Sequence, residues 1–379
     1  MPASAKKLFP EKGAFQRALL RWYASHQRDL PWRKNRDAYR ILVSEFMLQQ
    51  TRVETVRPYF ERFLKLFPTL PALARASLQG VLKAWAGMGY YARARHLHST
   101  AKTIWRDHGG KIPSTKKDLL PLPGFGPYTA GAVASIAFNE PAAAIDGNVK
   151  RLLGRLLKSR PIFSASNQGK LREKIVEDLV PPGRSSDFNQ AMMDLGALIC
   201  IPARPRCPEC PVRRFCASRG WKGGGGQRRV KKIREEIWAV ALVEQEGRFL
   251  LHRKEGQGLL AGLWQFPTVV MEKEGNSKRG KKRAGAKERE ALKRVLQETF
   301  GLRVKMKGAL PIKDHQFTHL DVTMKPVLYS LVKLFPSERV PQNIRWINPS
   351  RLSRYPISRA MGKIAGLILD RPAKIPILP

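Results

Sequence analysis

Two acidic side chains, Glu45 and Asp146, stand in sequence contexts that could support catalysis. Glu45 lies in the segment 41–51, where the residues three and four positions before it and three positions after it are all apolar. An acid on the apolar face of a helix loses contact with water, which favours its protonated form and suits a general acid. The structural alternative is a buried Glu45 that is paired with an arginine such as Arg33.

Asp146 precedes a predicted helix as the first residue of the sequence Asp-Gly-Asn. Its carboxylate could cap the N-terminus of that helix, and the same position would stabilise its ionised form. Capping alone is the structural alternative for this residue. A protonated Glu45 together with an ionised Asp146 would hold two carboxyl groups in opposite states, as cleavage through an oxocarbenium-like transition state requires.

A tight turn with two glycines lies about twenty residues before Asp146. Gly124 and Gly126 flank a single residue, and Pro127 stands where a helix would begin, a position at which the missing N–H of proline costs nothing. Free backbone N–H groups at a helix N-terminus attract anions, so we expect this turn to bind a phosphate.

The four cysteines of the chain fall within seventeen residues, with the spacing C-x6-C-x2-C-x5-C. Four thiolates suit either a tetrahedral zinc ion or a 4Fe–4S cluster. Zinc ribbons generally use two C-x2-C pairs and this segment has one, so the spacing favours the 4Fe–4S cluster. The predicted ligands are Cys200, Cys207, Cys210 and Cys216.

The overall charge indicates a polyanionic partner. The chain has 379 residues, with 70 Lys and Arg against 30 Asp and Glu, which gives a formal net charge of +40. Nucleic acid is therefore the favoured partner, and a generally basic proteome or a role of the charge in solubility is the alternative. No signal peptide or apolar run of membrane-spanning length is recognisable, so we expect a cytoplasmic protein, associated with the nucleoid if bacterial, without a membrane partner.

Periodicity divides the chain into an all-α region of about 200 residues and an α+β region. Between them, Arg219–Arg234 is rich in glycine and basic residues and predicts a flexible linker. The basic stretch Asn276–Lys287 predicts a solvated loop. The predicted helices are Phe15–Trp22, Tyr39–Leu48, Val56–Phe67, Leu82–Trp85, Tyr91–Ile104, Tyr128–Phe138, Val149–Leu157, Leu171–Leu179, Phe188–Leu198 and Glu290–Phe300. The predicted strands are Ile237–Val243, Arg248–His252, Leu302–Met306 and Val322–Val332.

Together these features resemble the helix-hairpin-helix DNA glycosylases of the endonuclease III type. The turn Leu122–Gly126 resembles their hairpin, Asp146 their essential aspartate, and the cysteine spacing their iron–sulfur loop. The resemblance covers roughly residues 15–216. It implies an all-α helix-hairpin-helix glycosylase core that carries a 4Fe–4S cluster and acts on double-stranded DNA.

Further motifs resemble the MutY-type adenine DNA glycosylases of that superfamily. Bifunctional members carry a Schiff-base lysine just before the Thr-Ala of the hairpin, and this chain has Tyr128 there. A phenol cannot form an imine, so the resemblance implies base removal without strand cleavage. The motifs that resemble MutY-type enzymes are Leu30–Arg33, Glu45 with Leu48–Thr51, Gly89–Tyr91 and Phe188–Gln190.

MutY-type enzymes carry a C-terminal domain related to Nudix hydrolases, which extends the resemblance over almost the whole chain. The paired glutamates of a magnesium–pyrophosphate site are missing here, since Glu298 stands alone before Thr299–Gly301. The resemblance therefore implies a domain for lesion recognition and not for hydrolysis. The implied domains are a helical core at 1–218 with the cluster loop at 200–216, a basic linker at 219–235 and a Nudix-like domain at 236–379.

The resemblance also implies a role for each site residue. The substrate would be adenine opposite 8-oxoguanine or guanine in duplex DNA, flipped into a pocket. Glu45 would protonate N7 of adenine, and Asp146 would stabilise the sugar cation or bond to it transiently, oriented or supported by Tyr128 and Asn148. The remaining implied residues are Trp32, Arg33 and Gln190 in the adenine pocket, Gln49, Gln50, Tyr90, Gly124 and Gly126 in contact with DNA, and Phe317, Thr318 and His319 in contact with 8-oxoguanine. Of the DNA contacts, Gln50 and Tyr90 would enter the duplex near the 8-oxoguanine.

Two other functions remain as alternatives. A bifunctional glycosylase for damaged pyrimidines would share the fold, but Tyr128 and the C-terminal domain argue against it. A non-catalytic DNA-binding protein with an iron–sulfur module would not need Glu45 and Asp146, and both are present. We expect a monomeric enzyme that initiates base excision repair.

Overall fold

The structure is a computed structural model that describes residues 11–157, 168–219, 233–256, 258–272, 284–335 and 343–369. The chain forms two compact units, one of Met1–Ala76 with Arg93–Arg228 and one of Ser77–Ala92 with Arg229–Pro379. Within the described ranges, no helix has the length and apolar character needed to span a membrane.

The N-terminal part of the chain is helical, as the periodicity predicts. The helices of this part that the sequence did not predict are the short ones at Leu70–Arg75 and Lys116–Leu119, and in the C-terminal part Arg359–Leu369 was not predicted. The helices are α1 (Lys12–His26), α2 (Ala38–Leu48), α3 (Val53–Leu66), α4 (Leu70–Arg75), α5 (Leu78–Ala84), α6 (Ala92–Asp107), α7 (Lys116–Leu119), α8 (Pro127–Phe138), α9 (Gly147–Leu156), α10 (Gln168–Leu179) and α11 (Ser185–Leu198).

Local signals explain where the helices near the site begin. Asp37 caps α2, since its carboxylate accepts a hydrogen bond of 2.8 Å from the backbone N–H of Arg40. Pro127 is the first residue of α8, the position at which a helix tolerates proline best. Asp146 caps α9 through the backbone N–H of Val149. These starts depend on neighbouring residues, and for this reason the sequence could predict them.

Two glycines allow the segment around Asp146 to lie close against α8 and α11. A Cβ on Gly131 of α8 would overlap the carbonyl oxygen of Ala143. A Cβ on Gly196 of α11 would lie 2.8 Å from Cβ of Asn148. Helix α8 also packs against α2, which carries Glu45. These close contacts bring the segment with Asp146 and the helix with Glu45 against the same helix, α8.

The second unit contains one mixed β-sheet, whose longest strands are β1 (Arg234–Gln245) and β7 (Leu320–Leu334). They run parallel to each other. The other strands are β2 (Arg248–Arg253), β3 (Trp264–Gln265), β4 (Thr268–Glu272), β5 (Leu302–Ala309), β6 (Lys313–Phe317) and β8 (Ile344–Ile347). The sheet order is β3-β2-β1-β7-β5, and in addition β4 pairs with β1, β6 with β7 and β8 with β2.

Helix α12 (Ala286–Glu298) packs on this sheet. Helix α13 (Arg359–Leu369) is the last element along the chain among the described residues. The core between α12 and the sheet consists of apolar side chains such as Leu292, Leu296 and Phe300. Helix α12 begins at Ala286, so the last two residues of the predicted loop Asn276–Lys287 are helical. The rest of that loop up to residue 283 lies outside the described residues, as do residues 220–232 of the predicted linker.

Helix α5 belongs to the second unit although it precedes α6 in the chain. The side-chain amide of Gln79 donates a hydrogen bond of 2.9 Å to the carbonyl of Gly262. The same side chain accepts one of 2.8 Å from the indole N–H of Trp264. The segment that carries Tyr90 is therefore anchored to the same unit as the turn with Thr318.

Candidate active site

Glu45 lies on α2 in a fully enclosed position, with 4% of the residue exposed. Its Oε2 accepts a hydrogen bond of 2.8 Å from the hydroxyl of Tyr128. Burial raises the pKa of the Glu45 carboxyl to about 7, the hydrogen bond from Tyr128 partly offsets this, and the charge of Asp146 adds to it. Glu45 can therefore carry a proton near neutral pH and give it to a group in its neighbourhood.

Tyr128 is the second residue of α8 and points its hydroxyl at Glu45. The family resemblance implies that Tyr128 orients or supports Asp146, whereas the hydrogen bond that the structure shows goes to Glu45. Burial, together with the charges of Glu45 and Asp146, raises the pKa of Tyr128 well above its usual range, so the phenol stays neutral and remains a donor.

Asp146 is fixed by two hydrogen bonds at the start of α9. Its Oδ1 accepts a hydrogen bond of 2.7 Å from the backbone N–H of Val149, and its Oδ2 accepts one of 2.8 Å from the side-chain amide of Asn148. The expected support by Asn148 is thus a direct contact. Asn148 in turn accepts a hydrogen bond of 2.9 Å from Arg151. The Nε of Arg151 donates a second hydrogen bond, of 2.8 Å, to the carbonyl of Cys200. This chain of contacts connects the carboxylate with the cysteine loop.

A cavity of about 1090 Å³ opens over Glu45 and Asp146. Its wall includes the three residues that were expected to line a base pocket and four of those that were expected to contact DNA. The members from these predictions are Trp32, Arg33, Gln190, Gln49, Gln50, Gly124 and Gly126. The remaining predicted DNA contact, Tyr90, belongs to the second unit.

Arg33 is bound to an acid that the sequence analysis did not single out. Its Nη1 and Nη2 donate to the two oxygens of Asp194 at 2.7 and 3.0 Å. The alternative in which Arg33 neutralises Glu45 is thus replaced by an Arg33–Asp194 pair, and Arg33 acts on Glu45 only as a nearby charge. Asp194 could have been found by the argument used for Glu45, since it too has apolar residues three positions before it and three and four positions after it.

Arg93, also missed from the sequence, binds the C-terminal end of α2. Its Nη1 lies 2.6 Å from the carbonyl of Met47 and 2.5 Å from that of Gln49. A cation at this end of a helix satisfies carbonyl groups that have no partner within the helix. It also fixes the turn in which Gln50 adopts a positive φ of 56°. Arg93 thus positions the two glutamines that were predicted to contact DNA.

The turn before α8 has the backbone that a phosphate site needs. Gly124 has a φ of +76°, and a Cβ there would lie 2.5 Å from Cβ of His96, so a larger residue would not fit. Gly126 caps α8 without a side-chain hydrogen bond. The N–H groups of the first turn are therefore directed away from the helix, where they can bind an anion.

The four cysteines line one small cavity of about 30 Å³. Arg155 donates a hydrogen bond of 3.2 Å to Sγ of Cys200. Ser218 also lines this cavity, and its hydroxyl is buried without a hydrogen-bond partner among the described residues. Among the described residues, no group of three or more His, Cys, Asp or Glu side chains is arranged to hold a single metal ion.

Phe317, Thr318 and His319 lie in the second unit at the hairpin between β6 and β7. Phe317 is half-buried and packs against Trp238, with 5.8 Å between the ring centroids, whereas Thr318 and His319 are exposed in the turn. The hydroxyl of Tyr90 donates a hydrogen bond to that of Thr318. The structure thus brings together a residue predicted to enter the duplex and one predicted to read 8-oxoguanine.

Comparison with known proteins agrees with this architecture. Residues 43–182 match the HhH-GPD superfamily of base excision DNA repair proteins, and residues 238–366 match the NUDIX domain. The sequence is 34% identical to the adenine DNA glycosylase of Rattus norvegicus over 96% of this chain and 80% of the relative. It is 35% identical to the adenine DNA glycosylase of Homo sapiens over 93% of this chain and 74% of the relative.

A solved structure of a thermostable thymine-DNA glycosylase matches with a TM-score of 0.50 and 30% identity. It covers 56% of this chain and 97% of that protein. The predicted fold class, a helical glycosylase core followed by a Nudix-like α+β domain, is confirmed by these matches.

The burial of Glu45 predicts an unusual dependence of stability on pH. The native carboxyl has a pKa of about 7 against 4.5 for the ordinary group, so the native state binds more protons between these values. The stability that Glu45 contributes is complete below pH 4.5 and is lost as the pH rises to about 7. Glu45→Gln, which stays neutral, should therefore be more stable than the parent at pH 8 by up to about 3 kcal/mol.

Urea unfolding of both proteins at pH 5 and pH 8 measures this difference. Glu61→Gln is the matched control, because Glu61 is exposed on the neighbouring helix α3 and its loss should change stability little at either pH. A Glu45→Gln difference that stays the same at pH 5 and pH 8 would show that the carboxyl is not held protonated by burial.

Proposed function

The chain belongs to the adenine DNA glycosylase family, and we propose that its substrate is adenine paired with 8-oxoguanine or guanine in duplex DNA. The protein is a monofunctional enzyme of base excision repair that hydrolyses the N-glycosidic bond of adenine. The observation that carries the proposed mechanism is the hydrogen bond from Tyr128 to the buried Glu45, in the same cavity as the capped Asp146.

The base must leave the duplex before the bond can be broken, because its glycosidic bond is inaccessible within the stack. The cavity over Glu45 offers an aromatic face from Trp32 and polar groups from Arg33 and Gln190. Gln190 is held by Ser186, whose hydroxyl lies 3.2 Å from its amide nitrogen. These residues can bind the flipped adenine and hold its N7 towards Glu45.

Glu45 acts as the general acid. The hydroxyl of Tyr128 donates to Oε2, which leaves Oε1 free to carry the proton towards N7 of adenine. Protonation at N7 makes the base a better leaving group, so the bond to C1′ breaks with the electron pair departing on adenine. Tyr128 itself stays neutral and has no amine with which to form an imine, which is consistent with base removal alone.

Asp146 stabilises the sugar cation that remains, through its charge or through a transient bond. Its two hydrogen bonds hold the carboxylate in place at the start of α9, so it needs no rearrangement as positive charge develops. Water then adds to C1′ and releases a proton, leaving an abasic site in an intact strand. The turn of Gly124 and Gly126 binds a DNA phosphate during these steps.

We further propose that the cysteine loop carries a 4Fe–4S cluster. Four cysteines around one cavity supply the ligand set, and Ser218, whose buried hydroxyl has no partner among the described residues, lines that cavity and could donate to a sulfur atom of the cluster. Such a cluster would cross-link the loop 200–216 and supply iron–sulfur chemistry at its surface. Arg155 would orient Cys200, and Arg151 would connect the loop to Asn148.

For lesion recognition, we propose that Tyr90 and Thr318 act together on the 8-oxoguanine strand. Their hydroxyl groups are hydrogen-bonded to each other in the second unit. Tyr90 adopts a positive φ of 50° and directly follows Gly89, whose φ is also positive. The exposed hydroxyl of Thr318 can donate to or accept from the edge of an oxidised purine.

Asp146→Asn should bind the mispaired duplex but not excise adenine. Asparagine still caps a helix, so the fold is kept while the negative charge opposite the sugar cation is lost. The measurement combines binding to a duplex that contains A opposite 8-oxoguanine with cleavage of abasic sites by hot alkali. A duplex that contains an oxidised pyrimidine is the substrate control, and turnover of Asp146→Asn at the parental rate would refute the role of this residue.

The cluster predicts a colour and a metal content. The purified chain should absorb near about 400 nm and contain roughly four irons. Cys210→Ala should lose most of this absorbance because it removes a ligand, whereas Ser218→Ala should retain it because only a donor is removed. One zinc per chain without a visible band would overturn the assignment.

Thr318→Val should reduce the preference for 8-oxoguanine over guanine opposite adenine. Valine keeps the shape of threonine but removes the hydroxyl, and one lost hydrogen bond of about 1 kcal/mol corresponds to a roughly fivefold change in the ratio of excision rates. Thr318→Ser is the matched control and should keep the preference. An unchanged ratio in Thr318→Val would remove this hydroxyl from lesion recognition.

A further inference from the structure

A fully buried carboxylate lies next to the base cavity and has no role in the mechanism above. Asp194 on α11 has no exposed surface, and it binds two arginines that line the cavity, Arg28 and Arg33. Burying an ionised acid is costly unless its partners are well aligned, so the hydrogen bonds of Asp194 indicate its role.

Asp194 accepts hydrogen bonds from both guanidinium groups and from the backbone. Arg33 binds end-on, from Nη1 to Oδ2 at 2.7 Å and from Nη2 to Oδ1 at 3.0 Å. Arg28 binds from the side, from Nε and Nη2 to Oδ1 at 2.8 and 2.6 Å, and its backbone N–H lies 3.3 Å from Oδ2. Paired bonds of this kind fix the plane of each guanidinium as well as its position.

The same contacts set the charge of the cavity wall. Two guanidinium groups and one carboxylate leave a single net positive charge beside the base pocket. The groups that act on Glu45 are Tyr128 through a hydrogen bond, Asp146 as a negative charge and Arg33 as a positive charge. A positive charge near Glu45 favours its ionised form, in which it cannot protonate a base.

We propose that Asp194 is a positioning residue, which fixes Arg28 and Arg33 as the donor wall of the base pocket and offsets the positive charge of Arg33 that acts on Glu45. A guanidinium offers only donors, so a wall held in this way suits a base edge with ring-nitrogen acceptors. The inference rests on the proposed role of Glu45 as general acid, and it adds that a second buried acid keeps the first one in its active form.

Two variants with opposite changes of charge test this role. Asp194→Asn leaves both arginines without their counter-charge, so Glu45 should lose its proton at lower pH. Arg28→Gln leaves Arg33 and Asp194 as a neutral pair, so Glu45 should keep its proton to higher pH. Arg28 is 27% exposed at its side chain, and its replacement is therefore compatible with folding.

The experiment measures the single-turnover rate of adenine excision between pH 5 and pH 9, on a duplex with A opposite 8-oxoguanine. The alkaline fall in rate should move to lower pH in Asp194→Asn and to higher pH in Arg28→Gln. On the alkaline side of the profile, moving the fall by about one pH unit changes the protonated fraction of Glu45, and with it the rate, about tenfold.

Glu173→Gln provides a control for the loss of a half-buried ion pair elsewhere. Glu173 binds Lys116, away from the residues that line the cavity, so this variant should keep the parental pH profile even where it is less stable. Alkaline falls that stay in place in both variants, or that move in the same direction, would overturn the proposal. If Asp194→Asn does not fold, Arg28→Gln decides alone, because the proposal requires its profile to move upwards.

Glu45→Gln in the same assay separates this inference from the function on which it rests. A parental rate and alkaline fall in Glu45→Gln would remove Glu45 as the acid. Loss of excision in Glu45→Gln, together with unmoved profiles in Asp194→Asn and Arg28→Gln, would leave Glu45 in its role and refute that of Asp194.

Discussion

The desolvation of one carboxyl group, that of Glu45, is the constraint on which the rest of the site depends. An ionised acid in this position would lose its hydration and, among the described residues, gain a single hydroxyl donor in return, so its pKa rises to about 7. The groups around Glu45 favour a carboxyl that can hold a proton near neutral pH and still give it up. Within the part of the chain that the structure describes, its one direct hydrogen-bond partner is a phenol that stays uncharged, and the nearby Arg33 is bound to another acid.

Asp146 experiences the opposite environment within the same cavity. It stands at the start of α9, where backbone and side-chain N–H groups converge on its oxygens. The two acids therefore differ in their hydrogen-bond donors. Glu45 lies within a helix, where no backbone N–H is free, whereas Asp146 lies at a helix N-terminus, where several backbone N–H groups are free. The hairpin helix α8 packs beside both and supplies Tyr128, so a single element links the phosphate site to the acid.

The elements of this fold were largely predictable because most of their signals are local. Apolar periodicity predicted the long helices except α13, and the Pro and Asp residues at the starts of α8 and α9 predicted where they begin. The short helices α4 and α7 carry fewer than two turns of pattern, so periodicity could not detect them. Strands β3 and β8 are equally short, and their pairing with β2 brings together residues that are far apart in the chain.

The site was predictable where a side chain finds its partner locally and not where the partner is distant. The cap by Asp146 spans three residues, whereas the hydrogen bond between Tyr128 and Glu45 spans 83. Glu45 and Asp194 show the same signal in sequence, an acid on an apolar helix face, yet the structure gives them opposite states. Burial raises the pKa of Glu45, while the guanidinium groups of Arg33 and Arg28 overcome burial and lower that of Asp194. The apolar face thus predicts that an acid is buried, but the charge of its distant partner decides whether it serves as a proton donor or as a counter-ion.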